Sequence, residues 1–319
     1  MKHKALIGFD INEYPEVEIF QEYFDCDFLE YSENYFSKNI SKYTILVPHL
    51  YLNLTSELID KADNLEYLFT PSTGTNHIDL QAIQNNNIKF FCLSDDSEFI
   101  KEISSTAELA WLLILAANRK IISLSRRVLT EKSWKNNDIR GSQLRNKTIG
   151  IIGFGRLGKM IYNYARSFEM NILIYDIDET AVLGFQKSAT DFSDILKYSD
   201  IITLHPKLND TSFEMIDKDA LDQMKDGVII INTSRGDVIN SNDLLAALKS
   251  GKVKFAALDV LKNEFDSGKI PNDPLIKFAL EQGNADKILI TPHSGGATLD
   301  AHKIVFKYVA KTLRDNIYG

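Results

Sequence analysis

Three side chains suited to acid–base and anion chemistry recur at equal intervals late in this 319-residue chain: Arg235, Glu264 and His293, with 264 − 235 and 293 − 264 both equal to 29. Each follows an apolar run. "VIIINTSRGDVIN" leads into Thr233, Ser234 and Arg235; "FAALDVLKNEF" leads into Asp259 and Glu264; "KILITPHSGG" leads into His293. An imidazole titrates near neutral pH and so can take or give a proton under ordinary conditions. A carboxylate hydrogen-bonded to its other ring nitrogen would fix the tautomer, and a guanidinium offers a planar fork for a carboxylate. Singly, each residue has a plainer reading: a surface arginine, a solvated loop acid, a packed histidine. Jointly they describe a proton-transfer site that also binds an anion.

A second constellation lies upstream. "TIGIIGFGRLGKMIYNYARSF" contains Gly153, Gly155 and Gly158 as G-x-G-x-x-G, preceded by an apolar strand and followed by a helical pattern. The next apolar run, "NILIYD", ends in Asp176, which is 176 − 158 = 18 residues past the last glycine. A glycine turn for packing alone would not need that whole arrangement. Dinucleotide binding does: Gly153 permits the tight turn, Gly155 lets backbone approach a pyrophosphate, and Gly158 lets helix and strand close together. The helix N-terminus presents N–H donors to the phosphates. Asp176 would accept hydrogen bonds from the adenosine ribose and repel the extra phosphate of NADP, which favours NAD. Beside a nicotinamide, the arginine, glutamate and histidine suit hydride transfer at an alcohol carbon, and the substrate so described is a 2-hydroxy acid or its 2-keto acid.

These residues must be carried by strands. Short apolar runs alternate with amphipathic segments throughout: "ALIGF", "TILVP", "YLFT", "IKFFCLS", "TIGIIG", "NILIYD", "DIITLH", "VIIIN", "FAALDV" and "KILITP". Near-continuous apolar strands between helical patterns predict parallel sheets covered on both faces, an α/β protein. Residues 104–134 read as helical throughout, opened by Thr106 and Glu108, with Leu109 to Ala117 dense enough to be buried all round. This stretch bridges into a second domain. The last segment, from Asp300, is amphipathic and suits packing on either domain.

The totals narrow the function classes. Of the residues, 44% are hydrophobic and 25% charged, and the formal net charge is −8, so nucleic acid and anionic membrane are disfavoured as partners. The amino terminus lacks the apolar core of a secretory signal, and no apolar run reaches the ~18 residues of a membrane span. Cys26 and Cys92 have no paired-ligand spacing, so neither a disulfide framework nor a metal site is expected. A cytoplasmic location follows as the expectation.

In the order and spacing of "PSTGTNHIDL", "SSTAELAWLLILAANR", "TIGIIGFGRLGKM", "INTSRGDVIN", "AALDVLKNE" and "ITPHSGGAT", the chain resembles the D-isomer-specific 2-hydroxyacid dehydrogenase family. The resemblance implies two doubly wound parallel-sheet domains, a Rossmann cofactor domain (100–294) inserted into a flavodoxin-like substrate domain (1–99), to which a C-terminal helix (295–319) returns. It implies a homodimer through the helix that begins near Thr106. It makes Arg235, Glu264 and His293 catalytic, and assigns Arg156, Leu157, His205, Pro206, Ser212, Thr233, Asp259 and Gly295 to the cofactor along with the glycines and Asp176. Thr73 and Gly74 would offer backbone donors to the substrate carboxylate, together with Arg235. Two departures stand out: Phe265 follows the glutamate where the family often has proline, and Pro206 lies one place earlier than the family's usual proline.

No arginine precedes Arg119, which disfavours a phosphorylated substrate, and no ACT-type regulatory domain is expected after Gly319. Glu264 argues against a formate dehydrogenase, which has glutamine there. Tyr51, Leu52 and Phe99 suit either a pocket for an apolar side chain or core packing. His49, His77 and His302 read as surface or packing residues. The reading is an NAD-dependent dehydrogenase; the rival is an NAD(H)-sensing, corepressor-like binding protein that keeps the dehydrogenase fold.

Overall fold

The computed structural model describes residues 2–29, 33–135, 139–185, 187–264, 270–281 and 284–319. These fall into two compact units, one drawn from Met1–Ile103 and Ala297–Gly319, the other from Ser104–Glu264 and Ile270–Gly296.

The first unit contains β1 (Lys4–Ile7), β2 (Asp25–Phe28), β3 (Ile45–Val47), β4 (Tyr67–Thr70) and β5 (Lys89–Cys92). They pair in parallel in the order β2-β1-β3-β4-β5, the flavodoxin-like doubly wound order. Successive residues of a strand point to opposite faces, and the core divides accordingly. Ala5, Ile7, Ile45, Val47, Tyr67 and Phe69 join one apolar cluster, while Leu6, Leu46 and Leu68 join the other. The C-terminal helix Leu299–Tyr318 is capped by the Thr298 hydroxyl accepting from the Ala301 amide. It buries Val305, Phe306, Val309, Ala310 and Leu313 in the first of these clusters, so its apolar stripe belongs to this unit. β2 was not among the expected strands. Its sequence, DCDF, carries two aspartates because it lies at a sheet edge, where charge blunts the exposed ladder.

The second unit contains β6 (Thr148–Ile152), β7 (Asn171–Tyr175), β8 (Ile201–Leu204), β9 (Val228–Asn232), β10 (Val253–Leu258) and β11 (Ile288–Ile290). All pair in parallel, in the order β11-β10-β9-β8-β6-β7. Beyond β7, Ala189 forms a single parallel bridge to Ile174, a one-residue remnant of a further strand that completes the Rossmann winding. β8 and β9 are buried at every residue, because helices cover both faces. The helices Phe192–Tyr198, Lys218–Gln223, Ser241–Ser250 and Pro274–Leu280 bury apolar residues in one cluster. Ser105–Arg119 and Arg156–Ser167 do so in the other.

Three expectations about residues 104–134 are corrected. The helix ends at Arg119, where Lys120 takes a left-handed conformation (φ 54°), and a second helix runs Ile121–Leu129. The first of the two helices starts at Ser105 rather than Thr106, and Ser104 contributes the hydroxyl that donates to Glu108 Oε1 at 2.5 Å. Nor is the helix buried all round. Ala107, Ala110, Trp111, Ile114 and Ala117 face the sheet, whereas Leu112, on the opposite side of the 3.6-residue period, is 58% exposed. Among the described residues, no helix is long and apolar enough to cross a membrane.

Candidate active site

Because β6 to β11 are all parallel, their carboxyl ends share one rim of the second unit. Read across the sheet from β7, this rim carries Asp176, Gly153, His205, Thr233 with Arg235, Asp259 and His293. Six strand ends at ~4.8 Å spacing span ~24 Å, a length suited to an extended dinucleotide. The first switch of winding direction falls between β6 and β8, at the glycine turn.

That turn is built as its sequence demands. Gly153 has φ +88°, and a Cβ there would meet the His205 carbonyl carbon and Pro206 nitrogen at 2.5 Å. A Cβ on Gly158 would stand 2.2 Å from the Gly153 oxygen, so both positions admit only glycine. Gly155 differs: an added Cβ would meet nothing within 4 Å, leaving space in front of the backbone that opens the helix Arg156–Ser167. Arg156 and Leu157 are half-buried in its first turn, and Leu157 packs on the core. Burial lowers the Arg156 guanidinium from its ordinary value. Asp176 closes the turn from the side: Oδ2 accepts from the Phe154 amide at 2.6 Å and Oδ1 from the Asp178 amide at 2.9 Å. Each carboxylate oxygen keeps further acceptor capacity for a ribose hydroxyl.

Next along the rim, His205 Nε2 lies 2.9 Å from Thr203 Oγ1, while its Nδ1 is buried without a hydrogen-bond partner. Burial pushes this imidazole down to about 4, so it is neutral at pH 7. Thr233 Oγ1 is a second buried atom without a partner. Orphaned buried polar atoms are rare in native folds and call for an explanation. Two of them at strand ends beside the glycine turn, with open space at Gly155, fit a polar ligand held there. Ser212 is placed otherwise: its hydroxyl donates to the Lys207 carbonyl at 2.7 Å and accepts from the Asn209 amide at 2.9 Å, closing its own loop.

The third part of the rim brings Arg235, Glu264 and His293 to adjacent strand ends. Asn232, the last residue of β9, shapes the first of them. Its Oδ1 accepts from the Ser234 amide and hydroxyl at 2.9 and 2.8 Å, and its Nδ2 donates to the Arg235 carbonyl at 2.8 Å. Arg235 Nη1 donates to the Ser234 carbonyl at 2.6 Å. Burial lowers this guanidinium and the charge of Glu264 works the other way. Asp259, 1% exposed, anchors the loop after β11 by accepting from Thr291 Oγ1 at 2.5 Å and from the Ser294 and Gly295 amides at 2.8 Å. Its carboxyl is raised by burial against the pull of those bonds.

So anchored, His293 adopts a left-handed backbone, φ 49°, a conformation that costs a non-glycine residue on the order of 1–2 kcal/mol. Its Nδ1 lies 2.8 Å from Glu264 Oε1, and Glu264 Oε2 accepts from the Leu261 amide at 3.0 Å. Strain of this kind clusters at functional sites. Phe265 lies outside the described residues. Thr73 and Gly74 belong to the first unit, past the end of β4, where Ser72 Oγ donates to the Gly74 carbonyl at 2.7 Å. Asn232 escaped the reading of the sequence. Its signal was there in "VIIIN", an amide ending a wholly apolar strand.

The model of the D-isomer specific 2-hydroxyacid dehydrogenase NAD-binding domain matches residues 111–295, more than half of the chain. The chain belongs to the D-isomer specific 2-hydroxyacid dehydrogenase family. It is 31% identical over 290 residues to a hydroxypyruvate reductase of Thermotoga maritima, covering 91% of this chain and 88% of that one. It is 32% identical over 278 residues to a D-3-phosphoglycerate dehydrogenase of Archaeoglobus fulgidus, covering 86% of this chain but only half the length of that relative. A crystal structure of D-lactate dehydrogenase from Aquifex aeolicus, complexed with NAD and lactic acid, superposes with a TM-score of 0.81 at 25% identity, covering 98% and 95% of the two chains. The cofactor of this family member is NAD, and the glycine turn, Asp176 and the two orphaned polar atoms are compatible with it.

Among the histidines read as surface or packing residues, His77 is 4% exposed with Nε2 3.3 Å from Thr70 Oγ1. His49 lies among rings, 4.8 Å from Phe9 and 4.7 Å from Tyr51, and His302 lies 5.3 Å from Tyr14. Of the two readings of Tyr51, Leu52 and Phe99, packing accounts for Leu52, which is fully buried, and Phe99, which stacks on Tyr308 at 3.8 Å.

Proposed function

We propose that this chain interconverts a non-phosphorylated 2-keto acid and the corresponding D-2-hydroxy acid, with residues 1–99 and the C-terminal helix as the substrate domain, into whose sequence the cofactor domain is inserted. The contact that carries the reading is the 2.8 Å pair between His293 Nδ1 and Glu264 Oε1, on the strained turn that follows β11. Bound NAD supplies the hydride acceptor, or as NADH the donor. The glycine turn with Arg156 and Leu157 would hold its pyrophosphate and Asp176 its ribose, while His205, Pro206, Ser212, Thr233, Asp259 and Gly295 would line the rest.

With Nδ1 committed to Glu264, His293 would pass a proton through Nε2 to the substrate oxygen as the 2-keto acid is reduced, and take it back in the reverse direction. Glu264 stabilises the imidazolium so formed, and its own orientation is held by the Leu261 amide. Arg235 would grip the substrate carboxylate and draw charge towards the carbonyl oxygen. Relatives carry the names hydroxypyruvate reductase, glyoxylate reductase and D-3-phosphoglycerate dehydrogenase. The absence of arginine before Arg119 supports the non-phosphorylated members of that range.

A homodimer is part of the same proposal. Leu112, Ile121, Leu129 and Trp134 are 58%, 50%, 76% and 89% exposed along consecutive segments of the second unit, an apolar surface that a second copy would cover. A reducing cytoplasm suits the two free thiols, Cys26 and Cys92.

The test is NADH oxidation with a panel of glyoxylate, hydroxypyruvate, pyruvate, longer 2-keto acids and 3-phosphohydroxypyruvate. At least one non-phosphorylated acid should be reduced, and His293→Ala should lower kcat by about 10²–10⁴-fold. Arg235→Ala should raise KM steeply as well. Unchanged turnover in both variants refutes the assigned roles; tight NADH binding with no turnover on any acid supports the rival, a dinucleotide-sensing binder.

A further inference from the structure

We propose that Lys262 and Glu214 form a positioning pair that holds the Glu264 carboxylate against His293; this deepens the functional reading above and rests on it.

Glu264 ends a short turn that begins at Leu261, contains Asn263 in a left-handed conformation (φ 58°) and is closed by the Leu261 amide donating to Glu264 Oε2. Lys262 projects from the middle of this turn. Its Nζ lies 3.0 Å from Glu214 Oε1 and 3.9 Å from Asp237 Oδ1, and 5.3 Å from the centre of the Phe213 ring. Glu214 is itself built to receive it. Its backbone is left-handed (φ 46°), its amide donates to the Asp237 carbonyl at 2.7 Å, and its Oε2 accepts from Asn240 Nδ2 at 3.0 Å.

The Arg235 segment closes the arrangement. A Cβ on Gly236 would stand 2.0 Å from the Leu261 carbonyl carbon and 2.3 Å from the Lys262 nitrogen, so this segment and the 261–264 turn meet backbone to backbone with no slack. Lys262 thereby ties three segments together: 213–214, 235–237 and 261–264. Its charge serves the same end. The Asp237 carboxyl is raised first by burial, and Glu214 and Glu264 raise it further while Lys262 opposes them. Without the ammonium, the repulsion of Asp237 by Glu214 and Glu264 is left unopposed by Lys262, and Glu264 sits on the same 261–264 turn as the lost cation.

The Lys262 and Glu214 side chains are 37% and 28% exposed, so the pair adds little to global stability. Proton transfer is more sensitive, because it depends on sub-ångström placement of the imidazole. The two effects are therefore separable.

The experiment compares the full chain with Lys262→Met, Lys262→Arg, Glu214→Gln and the Lys262→Met, Glu214→Gln double variant. It uses NADH and the 2-keto acid that the wild type reduces best. Lys262→Met should lower kcat about 5-fold, with KM for the acid and Kd for NADH within about 2-fold of wild type. Lys262→Arg should restore kcat, and the double variant should be no slower than the slower single. Unchanged kcat in Lys262→Met, additive losses in the double variant, or NADH Kd weakening in step with kcat overturns the proposal. Should the wild type reduce no 2-keto acid, the functional reading fails by itself. Hydrogen exchange at the Leu261 amide then decides the positioning: faster exchange in Lys262→Met and in Glu214→Gln, reversed in Lys262→Arg, supports it, and unchanged exchange overturns it.

Discussion

Lowering the pH from 7 to 5 should weaken the second unit through His205, by an amount the structure allows to be worked out. Burial holds this imidazole at about 4 in the folded chain, against ~6.5 for an exposed histidine. As the pH falls below 6.5 the unfolded chain takes up the proton and the folded chain does not. The stability from keeping His205 neutral is thus fully present above pH 6.5 and drains away between 6.5 and 4. Between pH 7 and pH 5 the loss comes to roughly 1.5–2 kcal/mol. The assay is urea unfolding followed by tryptophan fluorescence, since both tryptophans, Trp111 and Trp134, lie in the second unit. His49, also lowered to about 4, belongs to the first unit, which contains neither tryptophan. His205→Gln, which can keep a hydrogen bond to Thr203, should lose roughly 1.5–2 kcal/mol less than wild type over the same pH interval. Equal pH dependence in the two proteins would show that His205 titrates normally and refute the reasoning.

The glycine turn makes contrasting predictions. Gly158→Ala, which drives a Cβ to 2.2 Å from the Gly153 oxygen, should cost about 3 kcal/mol and roughly 6–12 °C in Tm by calorimetry. Gly155→Ala, with nothing within 4 Å, should leave Tm within about 2 °C yet weaken NADH binding by about 10-fold or more in a titration. For cofactor choice, kcat/KM should favour NADH over NADPH, and Asp176→Ser should narrow the gap by about 10-fold; equal efficiency in the wild type refutes the role given to Asp176. If Leu112 and Leu129 lie in a dimer interface, Leu112→Asp with Leu129→Asp should yield monomers in sedimentation without loss of helical signal, and an unchanged mass would exclude that surface.

Among the described residues, ten of the eleven strands could be read from the amino-acid sequence because parallel strands buried on both faces are largely apolar along their length, as "VIIIN" and "DIITLH" are. β2 could not, because as an edge strand with Asp25 and Asp27 it is defined by pairing with β1 rather than by its own pattern. The break at Lys120 was hidden for a similar reason: a left-handed lysine leaves no mark on the apolar period, so two helices read as one. At the rim, residue types and the glycine spacing were legible, since tight turns and close backbone approach admit few alternatives at Gly153 and Gly158. Contacts across the sheet were not. That Glu264 reaches His293 at 2.8 Å, that Asp259 ties down the loop at 294–295, that Asn232 shapes the Arg235 turn, and that Lys262 meets Glu214 all depend on which strands become neighbours. Local pattern sets what each segment is; strand order and register, decided by the packing of the whole unit, set what each side chain touches.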